Sequence, residues 1–145
     1  MTATRADDLL PGSHRWSVLR DGAAAAMEQA YAPYSHFRVG AALLGSDGSV
    51  AQGCNVENAC YPAGICAERA AVAAAVSRGV REFQAIVICT EADVPTPPCG
   101  ICRQVLMEFA PELVVVSVTR SGAEAQWTLS DLLPKAFTPT SLGRR

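Results

Sequence analysis

The sequence is poor in the features that mark a nucleic-acid-binding or membrane protein. Lys135 is the only lysine, the formal net charge is −2, and the only basic run is the terminal Arg144-Arg145 pair. A protein that binds a polyanion gains most of its affinity from clustered lysine and arginine, so we expect no nucleic-acid partner. No stretch approaches the roughly 18 apolar residues of a membrane span, and the N-terminal segment has no apolar core of signal-peptide length. We therefore expect a cytoplasmic protein without a membrane partner.

The chain also lacks internal repeats, low-complexity tracts and any linker rich in proline or serine. It has 145 residues, of which 50% are hydrophobic and 18% charged, the length and composition of one compact domain rather than of a disordered chain. We predict a single domain, 1–145, in which about 12 N-terminal and about 8 C-terminal residues are peripheral.

The spacing of apolar residues predicts three main helices. Helical spacing runs from about Ser13 to Ala32, where Pro33 ends it, and again from Cys66 to Gly79. The segment 99–110 is helical until a proline follows it. A short terminal helix is predicted over 130–137, with Ser130 as its N-cap.

Strands are predicted between these helices. Segments 37–45 and 50–56 flank a Ser-Asp-Gly-Ser turn and predict an antiparallel hairpin. The apolar runs 83–89 and 113–118 predict buried strands, and 125–129 predicts a last one. Strands and helices alternate through the middle of the chain. We therefore predict an α/β fold, a three-layer α/β/α sandwich whose mixed five-stranded sheet opens with the hairpin and continues with parallel strands joined by helical crossovers.

The cysteines are the first candidates for chemistry. The chain has six, and the reducing compartment expected here argues against a disulfide framework. Cys66 and Cys99 fall at predicted helix starts, where free N–H groups and the macrodipole favour thiolate over thiol. Because parallel strands send both helix starts to one sheet edge, Cys66, Cys99 and Cys102 are expected to converge. Three ligands with an open fourth position are typical of catalytic zinc, whereas structural zinc has four.

Each of these residues also has an ordinary interpretation. A Cys-x-x-Cys pair is shared by metal sites and redox dithiols or arises by coincidence, Cys66 alone suits a core position, and Glu68 near a helix start complements the dipole. Their combination is more specific. Cys66-Ala-Glu68 followed by Pro98-Cys99-Gly-Ile-Cys102 fulfils the zinc deaminase signature, in which the glutamate is not a metal ligand.

The sequence resembles the small zinc-dependent cytidine deaminases of nucleoside salvage over about residues 31–137. The likeness rests on the blocks PYSHFRVGAALL, GCNVENACY, CAERAA, PCGICRQVL and LLPKAF, which occur in that order. It implies hydrolytic deamination of the free pyrimidine nucleosides cytidine and 2′-deoxycytidine with release of ammonia. It also implies one zinc ion per chain and a homotetramer with shared active sites.

The resemblance implies the catalytic and metal-binding residues. Zinc is expected on Cys66, Cys99 and Cys102, and Glu68 is the expected proton carrier. Three thiolates carry more negative charge than the ion balances, which weakens the ion as a Lewis acid. Arg69 is expected to offset this charge by hydrogen bonds to the sulfurs, although a solvated helix arginine is the ordinary alternative.

The resemblance also implies five substrate-binding residues. Phe37 is expected to pack on the pyrimidine, and Asn55 with Glu57 to hold the ribose. These two residues take alternate positions on a predicted strand end, so both project from one face. Tyr61 is expected to line the sugar pocket, and Phe137 to reach the site of a neighbouring subunit.

One segment departs from the family pattern. Family members commonly have glycine after the tyrosine equivalent to Tyr61, and often serine or alanine at the position of Cys60; here Pro62 follows the tyrosine. Pro62 fixes φ and removes a donor, which bears on the sugar pocket and on the path into the first zinc ligand. Cys54, Cys60 and Cys89 are expected to act as small apolar residues, and a loop that bends back would make Cys60 an unwanted fourth ligand.

Three other functions compete with this interpretation. An aminonucleoside (blasticidin-type) deaminase shares the chemistry, but the intact Asn-Val-Glu-Asn block and the LLPKAF ending favour cytidine. A thiol–disulfide oxidoreductase would use only Cys99 and Cys102, leaving Cys66, Glu68 and Asn55 unexplained. A non-catalytic zinc-binding module needs four ligands.

Overall fold

The structure, a computed structural model, describes residues 12–144. The elements in chain order are α1 (His14–Glu28), β1 (Val39–Gly45), β2 (Val50–Cys54), α2 (Ala67–Ser77), β3 (Phe83–Thr90), α3 (Gly100–Phe109), β4 (Val114–Thr119), β5 (Glu124–Thr128) and α4 (Leu129–Leu132). Short 3₁₀ helices occur at Tyr61–Ala63 and Pro139–Leu142. Within residues 12–144, no helix combines the length and the apolar character that crossing a bilayer requires.

The strands form one mixed sheet in the order β2-β1-β3-β4-β5. Strand β1 pairs antiparallel with β2 and with β3, β3 pairs parallel with β4, and β4 pairs antiparallel with β5. Strands β2, β3 and β4 therefore run in one direction, and α2 and α3, which follow β2 and β3, both begin at the same edge of the sheet. The predicted mixed sheet and its opening hairpin are confirmed.

Helices cover both faces of this sheet. On one face, Leu19 and Met27 of α1 share a buried cluster with Leu44 of β1. On the other, Leu43 of β1 and Ile88 of β3 share a second buried cluster with residues of α2, α3 and α4. Neighbouring strand residues point to opposite faces, which is why one strand supplies both clusters. The predicted three-layer sandwich is confirmed.

Helix α1 is shorter than predicted. It ends at Glu28 rather than at Ala32. Tyr31 donates its N–H to the Asn55 carbonyl at 3.0 Å and accepts from the Glu57 N–H at 2.8 Å. Asn55 and Glu57 directly follow the end of β2. Tyr31 therefore pairs with an extension of this strand instead of continuing α1.

The C-terminal helix is also shorter and has a different cap. The N-cap is Thr128 rather than the predicted Ser130, and α4 stops before Leu133 instead of continuing over 130–137. Pro134 accounts for the stop, because a proline disfavours helical geometry at the residue before it; Leu133 has φ −135° and ψ 70°. The predicted cap and length of this helix are wrong.

The predicted peripheral ends of the chain are described only in part. The N-terminal segment lies outside the described residues except for Gly12. At the other end, the 3₁₀ helix Pro139–Leu142 contains no buried residue.

Two glycines allow helices to approach the sheet closely beside the edge where α2 begins. A Cβ at Gly40 would meet backbone atoms of α1 at Met27, and a Cβ at Gly53 would meet backbone atoms of α2 at Ala67 and Ala71. Because these neighbours are main-chain atoms, they cannot rotate away as a side chain does. The first turn of α2 is therefore held against β2 by direct backbone contact.

We expect Gly53→Ala to lower the free energy of unfolding by about 1–3 kcal/mol or more, the usual cost of overpacking. Gly100→Ala is the matched control, because its Cβ meets nothing within 4 Å. Urea denaturation measures both. An unchanged midpoint for Gly53→Ala would contradict the close approach of α2 to β2.

Candidate active site

The three candidate metal ligands lie together where α2 and α3 begin. Cys66 is the N-cap of α2 and Cys99 the N-cap of α3, both with extended backbone, and Cys102 lies in the first turn of α3. The three sulfur atoms lie within 4.8 Å of one another, and those of Cys66 and Cys99 are 3.9 Å apart. Within the described part of the chain, this is the only such group of three or more potential ligands.

The surroundings of Cys66 favour its thiolate form, and the three sulfurs together fit a zinc site. The pKa of Cys66 is lowered to about 5, chiefly by a hydrogen bond with Cys102 and further by Arg69 and Cys99, against the opposing effect of burial. The pKa of Cys102 is raised, because its proton is shared with Cys66 and because the thiol is buried. Cys66 is thus a thiolate near neutral pH, which suits a ligand of a divalent cation.

Arg69 lies beside the cluster, in the place expected for charge compensation. Its Nη2 is 3.8 Å from the Cys66 sulfur and 3.5 Å from the Gly64 carbonyl oxygen. The hydrogen bond to Cys66 is the main cause that raises the pKa of Arg69. Its Nε is buried without a hydrogen-bond partner, so the guanidinium keeps an unused donor.

Glu68 is a buried carboxyl group on the first turn of α2. It is 5% exposed and lines the same cleft as Cys66 and Cys99. Burial is the main cause that raises its pKa, and the negative charge of Cys66 raises it further. A buried carboxyl with a raised pKa, placed beside candidate metal ligands, has the properties of a general acid–base group.

The cleft at the cluster has a volume of about 260 Å³, close to the lower limit of the roughly 300–1,000 Å³ typical of small-molecule sites. Three of the predicted substrate-binding residues, Phe37, Asn55 and Glu57, line it. Thr90 and Thr96, which the sequence did not single out, also line it. Thr90 is the last residue of β3, at the carboxyl end of the strand, where ligand sites form in such sheets. Its position beside the cleft could therefore have been predicted.

Asn55 is held by the backbone of the segment that enters β1. Its Oδ1 accepts the Val39 N–H at 2.8 Å, and its Nδ2 donates to the Phe37 carbonyl at 2.8 Å. These two contacts fix which end of the amide is oxygen and leave one N–H and one lone pair for other partners. Asn55 therefore supports the wall of the cleft as well as facing it.

Glu57 supports the same segment. Its Oε1 accepts the Tyr34 N–H at 2.9 Å and the Ser35 N–H at 3.1 Å. The hydrogen bond with Ser35 is the main cause that lowers the pKa of Glu57. The side chain is thus a carboxylate at neutral pH, able to accept hydrogen bonds but not to donate them.

The other two predicted substrate-binding residues do not line the cleft of their own chain. Tyr61 is 76% exposed and packs edge-on against Tyr34, with ring centroids 6.0 Å apart. It borders a neighbouring hollow that shares Glu57 with the cleft. Phe137 is 60% exposed, and its carbonyl accepts a hydrogen bond from Gln104.

Cys60 does not join the metal cluster. It is exposed, and Pro62 lies in the 3₁₀ helix that follows it. The chain then pairs Ile65 with Val56 before it reaches the first cysteine ligand. The expectation of apolar packing is met by Cys89, which is buried, but is wrong for the exposed Cys60.

The sequence analysis did not predict an ionic network formed by Glu28, Arg38, Glu91 and Arg120. Arg38 contacts Glu28 at 3.2 Å and Glu91 at 2.6 Å, and Arg120 contacts the same carboxylates at 2.8 and 3.0 Å. The Arg38 N–H also donates to Glu91. Because Arg38 directly follows Phe37, the network fixes the segment that Asn55 also holds. Arg120 and Glu28 are 92 positions apart, so no local pattern marks this pairing.

We expect Asn55→Leu to lower the free energy of unfolding by about 1–3 kcal/mol, because the Val39 N–H and the Phe37 carbonyl lose their partner. Asn58→Leu is the control, since Asn58 makes one exposed contact to the Cys60 N–H. Chemical denaturation compares the two variants. Equal stability of both would contradict a supporting role for Asn55.

The chain is similar to cytidine deaminases over most of its length. Residues 17–118 match the profile of the cytidine and deoxycytidylate deaminase zinc-binding region. The cytidine deaminase of Sporosarcina psychrophila is 48% identical over 118 residues, covering 81% of this chain and 87% of that protein. That of Mycobacterium tuberculosis H37Rv is 43% identical over 130 residues, covering 89% and 94%. The crystal structure of cytidine deaminase from Burkholderia pseudomallei matches with a TM-score of 0.81 at 48% identity, covering 83% of this chain and 98% of that chain.

Proposed function

This chain belongs to the cytidine and deoxycytidylate deaminase family, and we propose that it catalyses the hydrolytic deamination of cytidine and 2′-deoxycytidine to uridine and 2′-deoxyuridine. The observation that carries the proposal is the buried Glu68, which lines one cleft with Cys66 and Cys99, beside the three converged cysteine sulfurs. A dithiol oxidoreductase has no use for the third sulfur or for the buried carboxyl group. The relatives named cytidine deaminase support the same conclusion.

We propose that Cys66, Cys99 and Cys102 hold one zinc ion per chain. The donor set fits, because the three sulfurs lie within 4.8 Å of one another and the neighbouring Cys102, Arg69 and Cys99 favour the ionised form of Cys66. When bound, zinc supplies a Lewis acid that lowers the pKa of water toward neutrality. Arg69 moderates the negative charge of the ligands through its contact with the Cys66 sulfur.

Glu68 moves the protons of the reaction. It takes a proton from the attacking water and gives it to N3 of the pyrimidine as C4 becomes tetrahedral. It then takes the remaining proton from the new C4 hydroxyl and delivers it to the amino group, which leaves as ammonia. Water and cytidine thereby become uridine and ammonia. The raised pKa of the buried carboxyl suits this exchange, because a group that titrates nearer the working pH both accepts and donates.

Phe37, Asn55 and Glu57 bind the nucleoside. The Phe37 ring packs on the pyrimidine, while the unused N–H of Asn55 and the carboxylate of Glu57 contact ribose hydroxyls. A carboxylate accepts a hydrogen bond from a 3′-hydroxyl but repels a 3′-phosphate. The substrate is therefore a free nucleoside rather than a base within a nucleic-acid strand.

The active assembly in this proposal is a homotetramer of single-domain chains with shared sites. In one chain the ring of Phe137 is exposed and does not line the cleft, which suits a residue that reaches the site of a neighbouring subunit. Tyr61 borders the hollow next to the cleft, where it would line the sugar pocket. Cytoplasmic pyrimidine salvage is the role proposed for the enzyme. Sedimentation equilibrium on the purified protein measures the assembly.

The activity is tested by the loss of cytidine absorbance on conversion to uridine, for the wild type and for Glu68→Gln. We expect the wild type to turn over and Glu68→Gln to be slower by about 10²–10⁴-fold or more, because only the proton carrier is removed. Zinc content and thermal stability are the controls and should stay near wild type. Loss of the metal in Glu68→Gln would instead make this residue a ligand.

Zinc binding is tested by elemental analysis of Cys99→Ala. We expect this variant to lose both zinc and activity, because one of three ligands is removed. Cys60→Ala is the matched control, since its exposed thiol lies outside the cluster, and it should retain one zinc per chain. Active wild-type protein without zinc would refute the proposed metal site.

A further inference from the structure

The loop that leads from β3 to Cys99 has few backbone donors. Prolines occupy positions 95, 97 and 98, and proline has no N–H. Thr96 therefore supplies the only backbone N–H within 95–98, and it donates to the hydroxyl of the buried Ser117 at 2.9 Å. A segment with one donor cannot be held by a ladder of backbone hydrogen bonds, so its position depends on side-chain anchors.

Arg103 is the second anchor of this loop. Its Nε donates to the Pro98 carbonyl at 2.8 Å, and its Nη1 donates to the Leu132 carbonyl at 2.8 Å. Its backbone N–H donates to the Cys99 carbonyl at 3.0 Å. The carbonyls of Pro98 and Cys99 belong to the two peptide groups on either side of the Cys99 Cα. The Arg103 side chain thus holds the peptide group before Cys99, and the helical backbone bond, which any residue at this position makes, holds the peptide group after it.

The same arginine joins the loop to the C-terminal part of the chain. Leu132, whose carbonyl accepts from Arg103, is the last residue of α4. Gln104, which follows Arg103 in α3, donates its Nε2 to the Phe137 carbonyl at 2.8 Å. Two consecutive side chains of α3 therefore attach the C-terminal segment, while Arg103 also holds the cysteine loop. Thr96 and Pro97 of this loop line the cleft.

We propose that Arg103 is a positioning residue that fixes Cys99 and the adjoining cleft wall and couples them to the C-terminal segment. The proposal rests on the proposed function only for the identity of the metal, since the hydrogen bonds belong to the chain itself. Residues that orient metal ligands typically contribute about 10–100-fold to metal affinity. Lysine cannot replace this arginine, because a single ammonium group lacks the planar fork that reaches two carbonyls.

The test compares zinc affinity, by competition with a chromophoric chelator, in wild type, Arg103→Gln and Arg103→Lys. Arg78→Gln is the matched control, because Arg78 also donates to a backbone carbonyl, that of Val50 at 3.4 Å, without lining the cleft. We expect zinc affinity to fall about 10–100-fold in both Arg103 variants and to stay unchanged in Arg78→Gln. Cobalt substitution adds a second measurement, and the cobalt–thiolate absorption bands should shift in the Arg103 variants only.

Several outcomes would overturn the proposal. Zinc affinities within about twofold of wild type would show that Cys99 does not depend on Arg103. Wild-type affinity in Arg103→Lys would assign the effect to charge alone, and equal losses in Arg78→Gln would make it non-specific. If Arg103→Gln does not fold, Arg103→Lys decides the question. Cytidine turnover by the wild type is measured separately, so failure of the proposed activity is distinguishable from failure of the positioning role.

Discussion

The site depends on one topological constraint, which is that the strands preceding α2 and α3 must point the same way. Strand β1 lies between β2 and β3 and is antiparallel to both, so β2 and β3 share a direction without being neighbours. Both helices then start at one edge of the sheet and pack on one face. Cys66 and Cys99, 33 positions apart in sequence, come within 3.9 Å for this reason. The same constraint brings Glu68 to this edge of the sheet, because it lies in the first turn of α2.

Local patterns were sufficient to predict most of this framework. The Ser-Asp-Gly-Ser turn between two apolar runs specified the hairpin, and the continuous apolar runs specified β3 and β4. The cysteine signature placed ligands at helix starts because an N-cap is itself a local property of the chain. The end of α1 was not predictable in this way, since it depends on Tyr31 pairing with residues more than twenty positions later. The N-cap of α4 could have been predicted, however, because Thr128 precedes Asp131 by three residues, the spacing at which an N-cap side chain accepts a backbone N–H.

The hydrogen-bond partners of the residues that line the cleft could not be predicted from the sequence. Alternation along β2 and beyond correctly indicated that Asn55 and Glu57 share a face. It did not show that both side chains first satisfy backbone groups of the segment 34–39, which lies 16 to 23 positions earlier. The same holds for Arg38 and its carboxylate partners. Asn55 and Glu57 therefore support the segment that forms one wall of the cleft, in addition to lining it.

The contacts at Gly40 and Gly53 have a consequence for how such a protein changes over evolution. They set the spacing of α1, the sheet and α2 by main-chain atoms, and both lie beside the strand ends that border the cleft. A side chain added at either glycine would have to push main-chain atoms apart, whereas many core side chains can adjust by rotation. These two positions are therefore expected to tolerate substitution less well over evolution than the larger core does.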